Sequence, residues 1–299
     1  MARYTPTAPG KGEMLRPSRR RLLGGLGAAL GLGACSPLGA LDALTPAGEY
    51  EAERGIRFGD QPRQSLDVYR PVSPAGEPKA VAVFFYGGGW RSGNKEGYRF
   101  VAESLTRHNL TVVIPDYRLH PEVTFPAFVE DGALAVRWVR DHLLREPDEP
   151  LYLIGHSAGA YIAAMLALDP HYLQSLDMTP DRLAGVVGLA GPYDFLPIRS
   201  RRLAAIFATD EPLERTQPIT FAREGAPPML LLNGDADPIV RPENSRRLGQ
   251  RLAQRGSRAQ VVIYPQLGHI PIVLGLSSRF GGDGRVLADV LRFVGEARA

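Results

Sequence analysis

Two hydrophobic rhythms alternate along this chain. Short continuous apolar runs bounded by Gly, Pro or Asp read as buried strands, and apolar residues three and four apart read as helices. Residues 56–58 and 66–69 open the series as short strands, the second ended by Pro71. "AVAVFFYGGGW" (80–90) is a strongly apolar strand running into glycines, and "LTVVIPDYR" (110–118) is the next, with a helix over 99–108 between them. Residues 128–144 carry Val129, Leu134, Val136, Val139 and Leu143 at helical spacing. The strand 151–154 is followed at once by helix formers at 160–166. "LAGVVGLAG" (183–191), "PMLLLNGDAD" (228–237) and "QVVIYPQLGH" (260–269) are further strands, with helices over 243–255 and 286–294.

Strands alternating with helices predict an α/β fold, a mostly parallel sheet of about eight strands flanked by helices. Turn residues crowd the C-terminal strand ends, where open α/β sheets bind ligands. Residues 192–225, rich in Pro and Arg, are the least regular part and are expected to form at most a small lid.

Composition adds that the 299 residues, 44% hydrophobic and 22% charged, suffice for a large core. No apolar run reaches the length of a membrane-spanning helix. The net charge of +3 is unevenly placed: residues 1–34 hold six basic residues and one acid. Taking them from the 35 basic and 32 acidic residues leaves 29 and 31, a net of −2. A nearly neutral body of this kind is no nucleic-acid binder.

The N-terminus reads as an address. "SRRRLLGGLGAALGLGAC" (18–35) is a positive stretch, a weakly apolar glycine-rich segment and small residues before Cys35, the three-part order of a secretory signal. Residues 18–23 resemble the twin-arginine export motif, and Leu32-Gly33-Ala34-Cys35 resembles the lipobox of bacterial lipoproteins. The expected organisation is a signal peptide over 1–34, a tether over 35–48 holding Pro37, Gly39, Pro46 and Gly48, and one catalytic domain over 49–299. Acylation of Cys35 would anchor the body to a membrane of the bacterial cell envelope. A single cysteine excludes an intrachain disulfide.

The chemistry gathers at the strand ends. Gly155-His156-Ser157-Ala158-Gly159 fits G-x-S-x-G between a predicted strand and a predicted helix, the context that motif requires. The turn exposes the Ser157 hydroxyl above a helix N-terminus, whose free amides suit a developing oxyanion. A serine needs a base to become a nucleophile. Of the six histidines, His269 in "PQLGHI" follows the last strand. His156 reads as packing in the elbow, and His108, His120, His142 and His171 have no partner pattern. The base needs an acid to fix its tautomer. "LLLNGDADPIV" offers Asp235 and Asp237; the D-x-x-V spacing selects Asp237, and Asp235 reads as a turn former bonded to its own loop. Gly87, Gly88 and Gly89 follow the third strand, and backbone amides there approach a substrate oxygen without Cβ interference. Gly88 and Gly89, with Ala158 after the nucleophile, are the expected oxyanion-hole donors. Asp116, Arg118, Glu130 and Asp131 read as a structural ion-pair network, and Trp90 and Phe195 as core residues. No metal-ligand spacing and no phosphate-cradling loop appears, so no cofactor is expected.

"GGGW", "PDYRLHPE", "FPAFVEDGALAVRWVR", "GHSAGA" and "GDADPIV" occur in order over about residues 50–296. Together they resemble the α/β-hydrolases, in particular serine esterases with an HGGG-type oxyanion loop, related to hormone-sensitive-lipase-like carboxylesterases and to arylformamidases. The resemblance implies hydrolysis of a small ester of short acyl length through an acyl-enzyme on Ser157. Amide hydrolysis by the same residues, and a non-catalytic binding lipoprotein on the same fold, are the alternatives. One departure is that the family's loop histidine is Tyr86 here, whose hydroxyl is expected to brace the loop by a different hydrogen bond.

Overall fold

The computed structural model describes Met1 and residues 50–72, 79–146 and 148–296. Residues 2–34 of the stretch read as a signal peptide, Cys35 and the stretch read as a tether therefore lie outside the described residues. Contacts divide the chain into Met1–Cys35 and Ser36–Ala299, and the architecture belongs to the second unit.

The strands are β1 (Tyr50–Arg57), β2 (Ser65–Pro71), β3 (Ala80–Phe85), β4 (Leu110–Pro115), β5 (Leu151–His156), β6 (Gly185–Leu189), β7 (Met229–Gly234) and β8 (Ala259–Tyr264). They form one sheet in the order β1-β2-β4-β3-β5-β6-β7-β8. β1 and β2 run antiparallel to their neighbours, and β3 to β8 run parallel. The helices between them are α1 (Arg99–Thr106), α2 (Ala127–His142), α3 (Ala158–Leu168), α4 (Pro170–Gln174), α5 (Arg201–Ile206), α6 (Glu243–Gln254), α7 (His269–Leu274) and α8 (Arg285–Glu296). From β3 the chain steps outward through α1 to β4, then crosses back through α2 to β5 on the other side of β3. That reversal opens a crevice at the C-terminal ends of β3 and β5, where α/β sheets place ligands.

The central strands β3, β4, β5, β6 and β7 are buried at every position. This is why they read as unbroken apolar runs rather than as alternating ones. Helix α3 is buried along its whole length, packed on β3, β5 and β6 and against α2. Its residues are small or aliphatic apart from Tyr161, as a helix apolar on all sides must be. α2 starts within a residue of its predicted place and ends two residues early.

Two regions differ from expectation. β1 begins six residues before the predicted strand, because Glu51, Ala52, Glu53 and Arg54 are exposed on an outer strand and leave no apolar pattern. Among the described residues β1 pairs on one side only, with a bulge between Glu53 and Ile56. A helix, α7, begins at His269 itself, where the sequence reading ends its strand. Residues 192–225 are ordered by aromatic packing: α5 and 3₁₀ turns at Leu213–Thr216 and Pro218–Phe221 lie there. Buried Phe207 packs edge-on to Trp90 at 4.9 Å and to Tyr161 at 5.5 Å. Among the described residues no helix is long and apolar enough to cross a membrane.

Candidate active site

At the C-terminal end of β5 the chain must turn sharply to enter α3. Ser157 makes the turn at φ 54°, ψ −118°, a conformation that costs energy for any residue with a Cβ. Both of its peptide groups are pinned: its N–H donates to the Leu189 carbonyl (2.8 Å), and its carbonyl accepts from Tyr161 (3.1 Å). The two flanking glycines answer to close approach. A Cβ on Gly155 would collide with the backbone of Gly159 and Ala160, and one on Gly159 would collide with the carbonyls of Phe85 and Tyr86. The elbow is thus clamped between its own helix and the end of β3.

His269 and Asp237 reach the elbow from the loops after β8 and β7. His269 Nε2 lies 2.9 Å from Ser157 Oγ, and His269 Nδ1 lies 2.8 Å from Asp237 Oδ2. All three residues are buried, Ser157 with 8% of its surface exposed. The other carboxylate oxygen of Asp237 accepts the amides of Ile239 (2.8 Å) and Val240 (2.9 Å). Burial pushes the Asp237 carboxyl up, but the hydrogen bonds from His269, Val240 and Ile239 together outweigh it and hold its pKa below the usual value. With Asp237 accepting at Nδ1–H, the tautomer left for Nε2 carries a free lone pair toward Ser157. Asp235 stands apart: it accepts the Gln266 amide (2.6 Å) and so ties the β7 loop to the β8 loop, rather than bonding its own loop as expected.

The structure brings the glycine loop beside this trio. Gly88 (φ 144°) and Gly89 (φ 59°) both sit at positive φ. The Gly88 carbonyl accepts the amides of Arg91 and Ser92, each at 3.2 Å, which closes the loop into a tight turn. A Cβ on Gly87 would lie 3.1 Å from that of Ser157, so loop and elbow are in contact. Ala158 is the first residue of α3, and amides in a first helical turn have no intrahelical acceptor.

Tyr86 anchors the loop from beneath. Its hydroxyl donates to Asp116 Oδ1 (2.8 Å) and accepts from Arg63 Nη2 (2.8 Å). Arg63 also donates to the carbonyls of Tyr117 and Gly93, each at 2.8 Å, so one guanidinium joins the loop to the end of β4. Burial works against the Arg63 charge, but neighbouring Tyr86 and Asp116 raise its pKa. Lys95 completes the network, its Nζ 3.3 Å from Asp67 and 2.6 Å from Glu96. The tyrosine therefore braces the loop as its position implied, and Arg63 is the partner the sequence reading missed. It sits in a turn before β2 with no motif around it.

Of the four charged residues read as one network, Arg118 and Asp131 form a fork at 2.8–3.0 Å, with Gln64 donating to Asp131 at 2.7 Å. Asp116 belongs to the Tyr86 group instead, and Glu130 is exposed. His156 packs in the elbow as expected, and also lies 2.9 Å from the His269 carbonyl through its Nε2. Among the described residues no group of three or more His, Cys, Asp or Glu side chains could hold a metal ion.

An eight-stranded, mostly parallel sheet with a serine elbow after its fifth strand is the α/β-hydrolase fold. Residues 66–252 match the model of the BD-FAE family, and the chain belongs to that family. It is 27% identical over 267 residues to an isoprenylcysteine alpha-carbonyl methylesterase of Arabidopsis thaliana, covering 82% of this chain and 62% of that protein. It is 29% identical over 273 residues to esterase LipC of Mycobacterium tuberculosis, covering 84% and 67%. The chain spans 55–62% of the length of the first three curated relatives it matches. Esterase B of Lactobacillus rhamnosis shares the fold at a TM-score of 0.73 and 18% identity, over 86% of this chain and 90% of that one.

Proposed function

We propose that this protein is a serine hydrolase that cleaves small carboxylic esters. The observation that carries the reading is the continuous relay from Ser157 Oγ through His269 to Asp237, with contacts of 2.9 and 2.8 Å beneath a strained elbow. His269 Nε2 takes the hydroxyl proton as Ser157 Oγ attacks the ester carbonyl, and Asp237 stabilises the imidazolium. The amides of Gly88, Gly89 and Ala158 receive the carbonyl oxygen as it becomes an oxyanion; each well-aimed donor of this kind is worth about 2.7–4 kcal/mol of barrier. His269 then protonates the departing alcohol, and water releases the acid from Ser157 by the reverse sequence. The activities of the relatives, a methylesterase and an esterase, support ester over amide.

A short acyl group fits the wall beside the oxyanion loop. Trp90 follows Gly89 directly and packs on Tyr161 (5.2 Å), Phe128 (5.9 Å), Phe207 (4.9 Å) and Phe195 (6.5 Å). We read this plug as the wall that limits the acyl group to a short one. The proposal extends to export: residues 1–34 act as a twin-arginine signal, and acylated Cys35 anchors the enzyme to the cell envelope.

Turnover of p-nitrophenyl acetate, with loss of about 10⁶-fold in Ser157→Ala as for other serine relays, tests the chemistry. Equal turnover by that variant would rule the site out. Profiling acyl lengths from acetate to octanoate, with aryl formamides included, tests the substrate class. Cys35→Ser should release the protein from membranes, and retention there would overturn the anchoring claim.

A further inference from the structure

We propose that His156 is a positioning residue, a strut that holds the base His269 in reach of Ser157 through a hydrogen bond to the His269 main chain. The inference rests on the hydrolase reading above, and concerns a residue the relay itself does not use.

The bond from His156 to the His269 carbonyl has only one sense. A carbonyl oxygen accepts, so His156 Nε2 carries the proton and donates over 2.9 Å. The other ring nitrogen, Nδ1, is then unprotonated, and it is buried with no hydrogen-bond partner. Gly87 explains why that is tolerated: a Cβ on this residue would lie 2.7 Å from His156 Nδ1, so the first glycine of the loop crosses directly over that atom. The rings of His156 and His269 sit 4.8 Å apart at 44°. One side chain thus touches the base, abuts the oxyanion loop and is bonded in sequence to the nucleophile.

Two features make this more than packing. His269 is the first residue of α7, and its carbonyl is the group His156 holds. The ring is attached at the Cα of the same residue, so fixing that carbonyl restrains the swing of the imidazole toward Ser157. Burial, and then the neighbouring His269, lower the pKa of His156 to about 3, so it stays neutral while His269 cycles through its charged form. A second cation 4.8 Å away would otherwise oppose formation of the imidazolium.

Three variants separate positioning from simple support. Gln carries its amide N–H near the place of imidazole Nε2, Asn is too short to reach, and Phe keeps the ring without a donor. His156→Phe and His156→Asn should lower kcat for p-nitrophenyl acetate by about 10- to 100-fold, the scale of a misplacement near 1 Å, with KM within about twofold. His156→Gln should recover to within about fivefold of the parent. Rates are taken per active site titrated with a fluorophosphonate, so a smaller folded fraction does not register. If Phe fails to fold, the Asn–Gln pair carries the comparison. Equal losses in Asn and Gln, or no loss in either, overturn the proposal. In histidine NMR of the full chain, one imidazole should stay neutral from pH 5 to 9 and vanish in His156→Gln; if every histidine titrates, the uncharged strut is wrong. A parent protein that reacts with the fluorophosphonate but hydrolyses no ester would count against the ester reading alone, and labelling rates of the same variants would still judge His156.

Discussion

The loop after β3 and the loops after β7 and β8 meet at one serine, yet different forces hold them. The β3 loop is fastened by charge: Arg63, Asp116 and Lys95 converge on Tyr86 and its neighbours, and they come from the β1–β2 turn, the residue after β4 and a 3₁₀ turn. The β7 and β8 loops fasten themselves. Asp237 takes the amides of Ile239 and Val240, and Asp235 takes that of Gln266, all within a few residues of the strands they follow. The first arrangement tolerates a loop of glycines with little side-chain packing of its own. The second keeps acid and base together by short local bonds, and leaves exposed Ile239 and Ile270 free at the rim.

Removing the acid should break the comparison most visibly. Asp237→Asn is expected to lower kcat by about 10³- to 10⁴-fold, because the amide favours the wrong imidazole tautomer, while leaving the loop in place. Steady-state rates against thermal unfolding measure both halves of that statement. Next comes the charged side: Tyr86→Phe removes the hydroxyl that joins Arg63 to Asp116 and leaves the buried Asp116 and the half-buried Arg63 less satisfied, at a cost of about 1–3 kcal/mol. Both activity and melting temperature should fall, whereas Asp237→Asn costs mainly activity. A Tyr86→Phe protein as stable and active as its parent would show that the network is not what fixes the loop.

Trp90→Ala sharpens the contrast on specificity, since it empties the aromatic plug beside the glycine loop and touches neither acid nor base. Relative kcat/KM should shift toward butanoate and hexanoate esters, with a stability cost of about 3–5 kcal/mol for a truncated core aromatic. Acid titration separates the two sides more gently. The Asp237 carboxyl has a folded pKa below the ordinary 3.8, so its contribution to stability is present above that value and drains away as pH falls through the folded value. Asp237→Asn should therefore flatten the lowest part of the stability–pH curve. The smallest effect belongs to Asp235→Asn, which loses one loop bond and should change kcat by less than about threefold, a surface-scale perturbation.

The two sides also differ in how they are written in the chain. "GDADPIV" announces itself because Asp237 takes the amides two and three residues on, and "GHSAGA" because crowding at the elbow demands glycine on both flanks. The buried central strands are legible for a similar reason, being apolar at every position. Arg63 is not: it lies 23 residues from Tyr86 in a polar turn, and only the pairing of β2 with β4 carries it to the glycine loop. The packing of the 192–225 stretch is illegible for another reason. Its order comes from Phe195 and Phe207 docking on Trp90, a packing that leaves no period in the sequence. Tyr86 shows how far one side chain can be reasoned through, since its hydroxyl, expected to brace the loop by a hydrogen bond, finds the Asp116 carboxylate.

The outer strand β1 bears on how copies of the chain meet. A strand at the margin of a sheet offers its free amides and carbonyls as a template for another molecule, which is how fibrils are seeded. Among the described residues that margin is open; it carries Glu51, Glu53, Arg54 and Arg57, and the bulge between Glu53 and Ile56 twists it out of line. An incoming strand would have to bury those charges and straighten that kink, so crowded copies are steered away from edge-to-edge growth.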